Sequence, residues 1–376
     1  MIPLPRFIKR PPFLLYIRTR AHLTESLRWR YAKQKDKCRV FYGHKVIPSK
    51  DNFASGGIIK FQDLQDFFPN TLHNPNLLYL LNSALYHCSD LTVKYAKKNG
   101  AKFLLNQNGV AYFGWHGPGW EKINEPMKLL IREADYIFYQ SEFSKLSADL
   151  FLGNRDRDFE ILYNPVDTNI FKPLGDRIDI NRNNLKLLMI GSYHEIYRVK
   201  AVLQAFSHIC TFIPKAHLTI AGRCVWSNNE QMALEELMEM ARDLKILDKM
   251  EFIGAYPQIK APEIYRNSHI LLHTKYNDPC PRVVVEAMAC GLPVVYSSSG
   301  GVPELVGEKA GIGLAAPLDW DRMHPPDPEL MAEAVMNIVP AYNSYSREAR
   351  RRAVEKLDVR PWIKRHQEIF HRLTSG

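Results

Sequence analysis

The sequence predicts an α/β protein made of two doubly wound, parallel-sheet domains. Its length of 376 residues is about two and a half times a typical domain. Apolar residues make up 46% and charged residues 24% of the chain, which is typical of a folded globular protein. From Cys38 onward, short apolar runs alternate with amphipathic segments, as expected for parallel strands joined by helices.

In the first half of the chain, apolar runs predict the strands, and amphipathic segments predict helices between them. Ser141 is a candidate N-cap for a helix over residues 141–152. A turn-rich stretch over 163–173, followed by a polar run over 175–184, predicts a domain boundary, so that the first domain covers residues 37–173. The predicted strands lie near residues 39–47, 77–81, 102–106, 136–140 and 159–162.

The same alternation returns in the second half and predicts a second domain over residues 174–357. Gly291 suits the left-handed position after a helix, and Pro293 prevents the helix from continuing. An amphipathic helix is predicted near the C-terminus, within residues 358–376. The predicted strands are 185–190, 217–221, 250–253, 270–273 and 293–296, with helices over 199–212, 229–244 and 281–290.

The basic residues are concentrated at the N-terminus. Residues 1–45 hold 12 basic and two acidic residues, whereas the rest of the chain has no net charge. This distribution argues against a nucleic-acid-binding body, which needs basic residues over a folded face. Residues 1–36 are predicted to form a basic arm, helical over 21–36, that binds an anionic membrane surface. A solvated extension, or a helix packed on the body, remains the alternative.

The sequence also predicts a cytoplasmic protein. Its apolar runs are far shorter than the roughly 20 residues that span a bilayer, and arginines interrupt the N-terminal apolar segments where a secretory signal needs a continuous core. The six cysteines include no CxxC pair, and they have no histidine partners at zinc-finger spacing. We therefore expect reduced thiols and no metal site.

Two carboxylates near one predicted helix start are the candidate site. Asp278 precedes the helix and Glu286 lies within about its second turn, so both can face one cleft. First-turn amides, here those of Arg282 and Val283, suit a diphosphate, while carboxylates suit sugar hydroxyls. This combination indicates a nucleotide sugar. By itself the pair is also compatible with a capping Asp and a solvated Glu.

A longer stretch resembles a known enzyme family. Residues 281–295, read with the segment Gly300-Gly-Val-Pro-Glu304, are similar to the retaining glycosyltransferases of family 4. Residues 164–173 resemble the interdomain segment of that family. The resemblance implies the GT-B fold, in which two Rossmann-like domains face each other across a cleft. It also implies that the first domain is the acceptor side and that the C-terminal helix packs back onto it.

The resemblance assigns roles to individual residues. It implies that Glu286 binds the nucleotide ribose and that Asp278, where the family more often has Glu, contacts the donor sugar. The remaining donor-site residues that it implies are Gly300, Gly301 and Glu304 after a later strand, the glycine turn Gly56 and Gly57, and the helix-start residues Arg282 and Val283.

The chain departs from the family pattern at two places. Ser192 stands where the family has an arginine that neutralises the diphosphate, so the cation is expected from Arg198 or Lys200, with Arg223 and Arg282 as substitutes. Asn108 stands where many relatives have a histidine near the reacting sugar. Asn can orient a hydroxyl but cannot carry a proton.

The resulting hypothesis is a retaining, metal-independent transferase. It moves a hexose from a UDP- or GDP-linked sugar, used as co-substrate without another cofactor, to a glycan or lipid-linked acceptor in cell-surface polysaccharide or glycolipid biosynthesis. We expect it to be peripheral on the inner leaflet of the cytoplasmic membrane. The alternatives are a nucleotide-sugar epimerase on the same fold and a catalytically silent sugar-binding relative.

Overall fold

The computed structural model describes residues 11–33, 37–52, 54, 56–174, 180, 184–227 and 229–375. These residues form two parallel β-sheets with helices packed against them, which confirms the predicted fold class. The first ten residues of the predicted arm, and most of the polar run at the predicted domain boundary, lie outside the described residues.

The first sheet contains five parallel strands that lie side by side in chain order. In its second strand Leu78 and Leu80 face one apolar core, whereas Leu77, Tyr79 and Leu81 face another, because side chains alternate along a strand. Both faces are therefore covered. The strands are β1 (Val40–Phe41), β2 (Leu77–Leu81), β3 (Lys102–Gln107), β4 (Tyr136–Tyr139) and β5 (Phe159–Ile161). The helices are α1 (Pro11–Arg28), α2 (Gly56–Gln65), α3 (Ser89–Lys98), α4 (Phe113–His116), α5 (Trp120–Glu133) and α6 (Glu142–Phe151).

The second sheet contains six strands in the spatial order β11-β10-β9-β6-β7-β8. These are β6 (Lys186–Tyr193), β7 (His217–Cys224), β8 (Met250–Ile253), β9 (Ile270–His273), β10 (Val294–Ser298) and β11 (Gly311–Ala315). The strands β6, β7 and β8 follow one another in one direction across the sheet. The strand β9 then pairs with the other edge of β6, and β10 and β11 continue in the opposite direction. Ligands of open parallel sheets bind at this reversal, beyond the carboxyl ends of the strands.

The helices of the second half are α7 (Ile196–Phe212), α8 (Glu230–Asp243), α9 (Ala261–Arg266), α10 (Arg282–Ala289), α11 (Val302–Val306), α12 (Pro328–Ile338), α13 (Tyr342–Lys356) and α14 (Val359–Ser375). Two local predictions are confirmed. The Ser141 hydroxyl accepts a hydrogen bond from the amide of Ser144 at 2.9 Å and caps α6. Gly291 has φ +75° directly after α10, so the helix ends as predicted.

Two strand predictions need correction. The first predicted strand, over 39–47, is shortened to β1 because Gly43 adopts φ +82° and the Tyr42 amide bonds to the side chain of Asn70. The segment β11 was not predicted to be a strand. Two of the five residues of β11 are glycines, which have low strand propensity, and only pairing with β10 makes this segment a strand.

The N-terminal helix differs from the prediction in extent and in environment. It begins at Pro11, ten residues before the predicted start, because proline is tolerated in the first turn of a helix. Arg18 forms an ion pair with Asp90 of α3 at 2.9 Å, and Trp29 is completely buried in the first domain. The described part of the arm is therefore packed on the body. Within the described residues, no helix has the length and hydropathy to cross a membrane.

The C-terminal helix α14 returns to the first domain. His366 lies completely buried with its Nε2 atom 2.9 Å from the hydroxyl oxygen of Tyr79 in β2. Phe370 and Trp362 are buried in the same core. At the first residue of α14, the amide of Val359 donates to the carbonyl of Val166 in the interdomain segment. The chain therefore passes between the two domains twice.

Replacing Trp29 with Ala tests whether the N-terminal segment is part of the fold. The indole is buried and its N–H donates to Glu25 at 2.9 Å, so we expect about 3–5 kcal/mol loss in the free energy of unfolding. Urea denaturation provides the measurement. The control is Leu27→Ala, a change two residues away on the exposed face of α1. Equal stability of the two variants would contradict the packing of this segment.

Candidate functional site

A cavity of about 480 Å³ lies between the two domains. On the first domain it is bounded by α2 and by the segments that follow β2 and β3, including Ser83 and Asn108. On the second domain it is bounded by the loop after β9 and by the start of α10, from Lys275 to Arg282. That loop leaves the carboxyl end of β9, next to β6, where the strand order reverses. The cavity therefore lies at the position where this sheet topology favours a ligand.

Asp278 is a buried carboxylate in the loop after β9. It lies 3.4 Å from Lys275 Nζ and 3.4 Å from His273 Nε2. Burial acts to raise the pKa of Asp278, but the charges of Lys275 and Arg198 and the neighbouring His273 outweigh it, so the pKa is below its usual value. Burial lowers the pKa of His273. Asp278 is therefore an ionised acceptor in the cavity wall at neutral pH.

Gly300 and Gly301 hold the Asp278 loop by close backbone contact. The amide of Gly301 donates to the Asp278 carbonyl at 2.9 Å. A Cβ atom at Gly300, where φ is +68°, would lie 2.5 Å from that carbonyl oxygen. At Gly301, a Cβ atom would lie 2.0 Å from the Pro279 carbonyl oxygen. In this structure the two glycines therefore support the loop that carries Asp278.

Glu286 lies one turn into α10 and is also buried. Its two carboxylate oxygens accept hydrogen bonds from Arg282 Nε and from the Tyr265 hydroxyl, each at 2.9 Å. Burial raises the pKa of Glu286, although Arg282 and Tyr265 oppose that effect. Each oxygen of a carboxylate can accept more than one hydrogen bond, so Glu286 retains acceptor capacity for a ligand.

Arg282 connects Glu286 to the first domain. Its Nη1 atom donates to Asp63 Oδ2 at 3.1 Å, and both side chains are less than 10% exposed. Asp63 belongs to α2, so this ion pair crosses the domain interface. One guanidinium therefore lies between a carboxylate of each domain.

Glu304 forms a second interdomain contact. Its carboxylate accepts hydrogen bonds from the amides of Glu142 and Phe143 at 2.8 and 2.9 Å, which are the first residues of α6. A carboxylate is favourable at a helix N-terminus, where the amides have no helical acceptor and the dipole is positive. The Glu304 carboxylate thus contacts the start of α6 and does not line the cavity.

The four basic candidates of the second domain are separated by the fold. Arg198 is 4% exposed and donates to the carbonyl of Ser192 at 2.9 Å. Its charge helps to lower the pKa of Asp278. Lys200 lies two residues further along α7 and is exposed. Arg223 is bound to Glu230 at 3.0 Å. Arg282 has two carboxylate partners, so only Arg198 combines burial with the absence of a carboxylate within 4.0 Å among the described residues.

The first domain contributes a polar cluster of side chains at the cavity. The Asn108 side chain donates to the Ser83 hydroxyl and accepts from Gln140. Lys60 of α2 donates to Asn106 Oδ1 at 2.7 Å and lies 3.4 Å from Asn108 Oδ1. Lys60 was not among the site residues predicted from the sequence. Helical periodicity could have found it, because Lys60 lies three residues after Gly57 and therefore on the same face of α2.

The glycine pair lies at the start of α2 and not in a loop before it. Gly56 and Gly57 are the first two residues of the helix, and Gly57 lines the cavity. A Cβ atom at Gly57 would lie 2.9 Å from the Ser83 hydroxyl. The absence of a side chain therefore allows the start of α2 to approach the segment after β2.

An aromatic group closes one end of the cavity. Trp320 of the second domain packs edge-on against Tyr112 with 5.1 Å between ring centroids and stacks on Phe143 at 5.3 Å. The amide of Gly114 donates to the Trp320 carbonyl at 2.7 Å. Trp115 also lines this end. The cavity therefore has a polar end near Lys60 and an apolar end near Trp320.

Fold and cavity together define a two-domain α/β protein of the GT-B class, with its site between facing parallel sheets. Residues 175–339 match the family model of glycosyl transferases group 1. One component of phosphatidylinositol N-acetylglucosaminyltransferase from Arabidopsis thaliana is 24% identical over 254 residues, which are 66% of this chain and 52% of that relative. N-acetyl-alpha-D-glucosaminyl L-malate synthase from Bacillus anthracis is 24% identical over 49% of this chain and 47% of its own length.

Solved structures share the fold. Anabaena HepE in complex with UDP-glucose has a TM-score of 0.65 at 19% identity, covering 93% of this chain and 95% of that one. Sucrose-phosphate synthase from Thermosynechococcus elongatus has a TM-score of 0.65 at 15% identity, covering 84% and 76%. The chain spans about half of the length of the two curated relatives from Arabidopsis and Bacillus.

Replacing Arg282 with Met tests the ion pairs between the domains. Asp63 and Glu286 then lose their shared cation, and at pH 8 we expect a loss of about 3–5 kcal/mol in the free energy of unfolding. The loss decreases toward pH 5, because burial raises the pKa of Glu286 and, without Arg282 to lower it, this carboxyl takes up a proton there. Urea denaturation at several pH values measures this. The control is Arg242→Met at an exposed position on α8, and identical curves for both variants would count against the ion pairs.

Proposed function

We propose that this protein is a retaining glycosyltransferase that moves a hexose from a nucleotide diphosphate sugar to a glycan or lipid-linked acceptor. The observation that carries the proposal is the pair of buried carboxylates, Asp278 and Glu286, on either side of the start of α10 at the strand-order reversal of the second sheet. Helix-start amides suit phosphates, and carboxylates suit hydroxyls. This arrangement therefore fits the two chemical parts of such a donor.

In the proposed complex Glu286 accepts hydrogen bonds from the ribose hydroxyls and Asp278 from the donor sugar. The diphosphate lies at the first-turn amides of α10, those of Arg282 and Val283, with Gly57 on the opposite side. Similarity to a phosphatidylinositol N-acetylglucosaminyltransferase and to HepE, which was solved in complex with UDP-glucose, supports a UDP-linked sugar. A GDP-linked sugar is the other candidate.

The proposed mechanism is substitution on one face of the sugar. The acceptor oxygen bonds to the anomeric carbon on the side from which the bond to the phosphate oxygen breaks. The bonding electrons leave with the diphosphate, whose negative charge is stabilised by amides and cations of the site. A phosphate oxygen takes the proton of the acceptor hydroxyl. Asn108, whose amide cannot carry a proton at neutral pH, orients a hydroxyl in this scheme.

Donor binding is tested by calorimetry with UDP-glucose, UDP-N-acetylglucosamine and GDP-mannose, each with EDTA present. We expect one of them to bind without metal, and Glu286→Gln to weaken it by about 1.5–3 kcal/mol, the value of a hydrogen bond to a charged group. The amide can still accept from Arg282, so the fold is retained. Glu263→Gln, at an exposed position on α9, is the control.

Three outcomes would contradict the proposal. The donor site is misplaced if Glu286→Gln binds the donor as tightly as the wild type. Binding and transfer that are lost in EDTA and restored by manganese would overturn the metal-independent mechanism. Conversion of the bound nucleotide sugar to its epimer, without transfer or release of the sugar, would support an epimerase instead.

We further propose that the protein is peripheral on an anionic membrane surface, such as the inner leaflet of the cytoplasmic membrane. One face of α1 is apolar and exposed, with Leu23 at 64%, Leu27 at 67% and Tyr16 at 55% exposure. Arg20 and Arg30 lie on the same side of this segment at helical spacing, within the N-terminal region that holds the net positive charge. Apolar residues flanked by cations suit an anionic bilayer interface.

The double variant Leu23→Ser, Leu27→Ser is expected to reduce sedimentation with phosphatidylglycerol vesicles. Wild-type binding should also decrease as salt rises, because attraction between the basic residues and the lipid is screened within about 8 Å at physiological ionic strength. The matched control is Leu146→Ser, Leu150→Ser on α6, where both leucines are at least 50% exposed. If the two double variants sediment alike, α1 is not the membrane face.

A further inference from the structure

Lys60 is a buried cation of the cavity that lacks an acidic partner. Its side chain is 2% exposed, and its Nζ atom bonds only to neutral groups, the side-chain oxygens of Asn106 and Asn108. Among the described residues, no carboxylate lies within 4.0 Å of it. Burying an ammonium group without a counter-ion is unfavourable, which lowers the pKa of this amine, and an anionic ligand would offset that cost.

The other cations that line the cavity already have carboxylate partners. Lys275 lies 3.4 Å from Asp278. Arg282 is shared by Asp63 and Glu286. Within the described residues, Lys60 is therefore the cavity-lining cation whose charge is available to a ligand.

Lys60 also faces the expected position of the diphosphate. Arg282 and Cys280, at the start of α10, are close enough to affect its protonation electrostatically. Gly57 lines the same cavity from the first turn of α2, on the face that carries Lys60. Two helix starts, each with positive dipole ends, and one uncompensated ammonium thus surround the same space.

We propose that Lys60 binds a phosphate oxygen of the donor diphosphate, an assignment that rests on the proposed function. The cation then comes from the first domain, whereas the family pattern takes it from the position that Ser192 occupies here. A diphosphate between α10 and Lys60 touches both domains. Its charge is consequently neutralised only when the two domains face each other as they do in this structure.

Binding of the diphosphate by Lys60 has a protonation signature. Burial lowers the pKa of Lys60 to about 7, with a smaller contribution from Arg282. An anion at Nζ raises it again, so binding at pH 8 takes up a proton. The neighbouring groups do not change protonation state near pH 8. Burial raises the pKa of Cys280 to about 12 and raises that of Tyr79, and it lowers the pKa of His366 to about 3, so all three stay neutral. Arg282 stays cationic.

The experiment is calorimetry of UDP and GDP at pH 8, where both diphosphates are fully ionised, in buffers of different ionisation enthalpy. We expect the wild type to take up about one proton per nucleotide bound. Lys60→Met should bind about tenfold or more weakly and take up none. Lys60→Arg should recover affinity without proton uptake, because a guanidinium is always charged. Lys94→Met, at an exposed position on α3, should resemble the wild type.

Uridine and guanosine, which lack the diphosphate, should bind the wild type and Lys60→Met equally. Thermal unfolding of Lys60→Met at pH 8 provides the check that the variant is folded. If the wild type binds UDP or GDP and Lys60→Met shows the same affinity and proton uptake, the role of Lys60 is wrong and the donor site stands. If the wild type binds neither nucleotide, the proposed function itself fails.

Discussion

The guanidinium of Arg282 is the group that holds the geometry of the cleft. It lies between Asp63 of the first domain and Glu286 of the second, and each of the three side chains is less than 10% exposed. Removing one member of such a set leaves an uncompensated charge in a region of low dielectric. The position of the carboxylate proposed to bind the ribose is therefore coupled to the position of α2 in the other domain.

Three further contacts cross the interface around this ion pair. Glu304 accepts from the first amides of α6, Trp320 inserts among aromatic rings of the first domain, and the side chain of Asn164 donates to the Cys280 carbonyl. Each contact attaches a segment that follows a strand of the second sheet to the first domain. Rotation of one domain relative to the other would break these contacts together.

The charge distribution in the cleft has a simple physical consequence. The carboxylates Asp278 and Glu286 are compensated by Lys275 and Arg282, so a neutral, hydroxyl-rich ligand can approach them without added charge repulsion. Between the helix starts, Lys60 bonds to neutral side chains and has no acid within 4.0 Å among the described residues. A ligand with hydroxyls at one end and a diphosphate in the middle matches both regions, which links the proposed donor to the proposed role of Lys60.

Local sequence patterns were sufficient to predict the fold class, most of the strands, the cap at Ser141 and the helix end at Gly291, because these depend on periodicity and on the backbone preferences of single residues. They also placed Asp278 and Glu286 on either side of one helix start, because both belong to one loop and helix. Features that depend on distant segments emerged only in the folded chain: the strand β11, the packing of Trp29, the contact of Glu304 with α6 and, within the described residues, the lack of an acid beside Lys60. Burial and charge pairing arise only when segments far apart in the chain meet, and no local pattern encodes them.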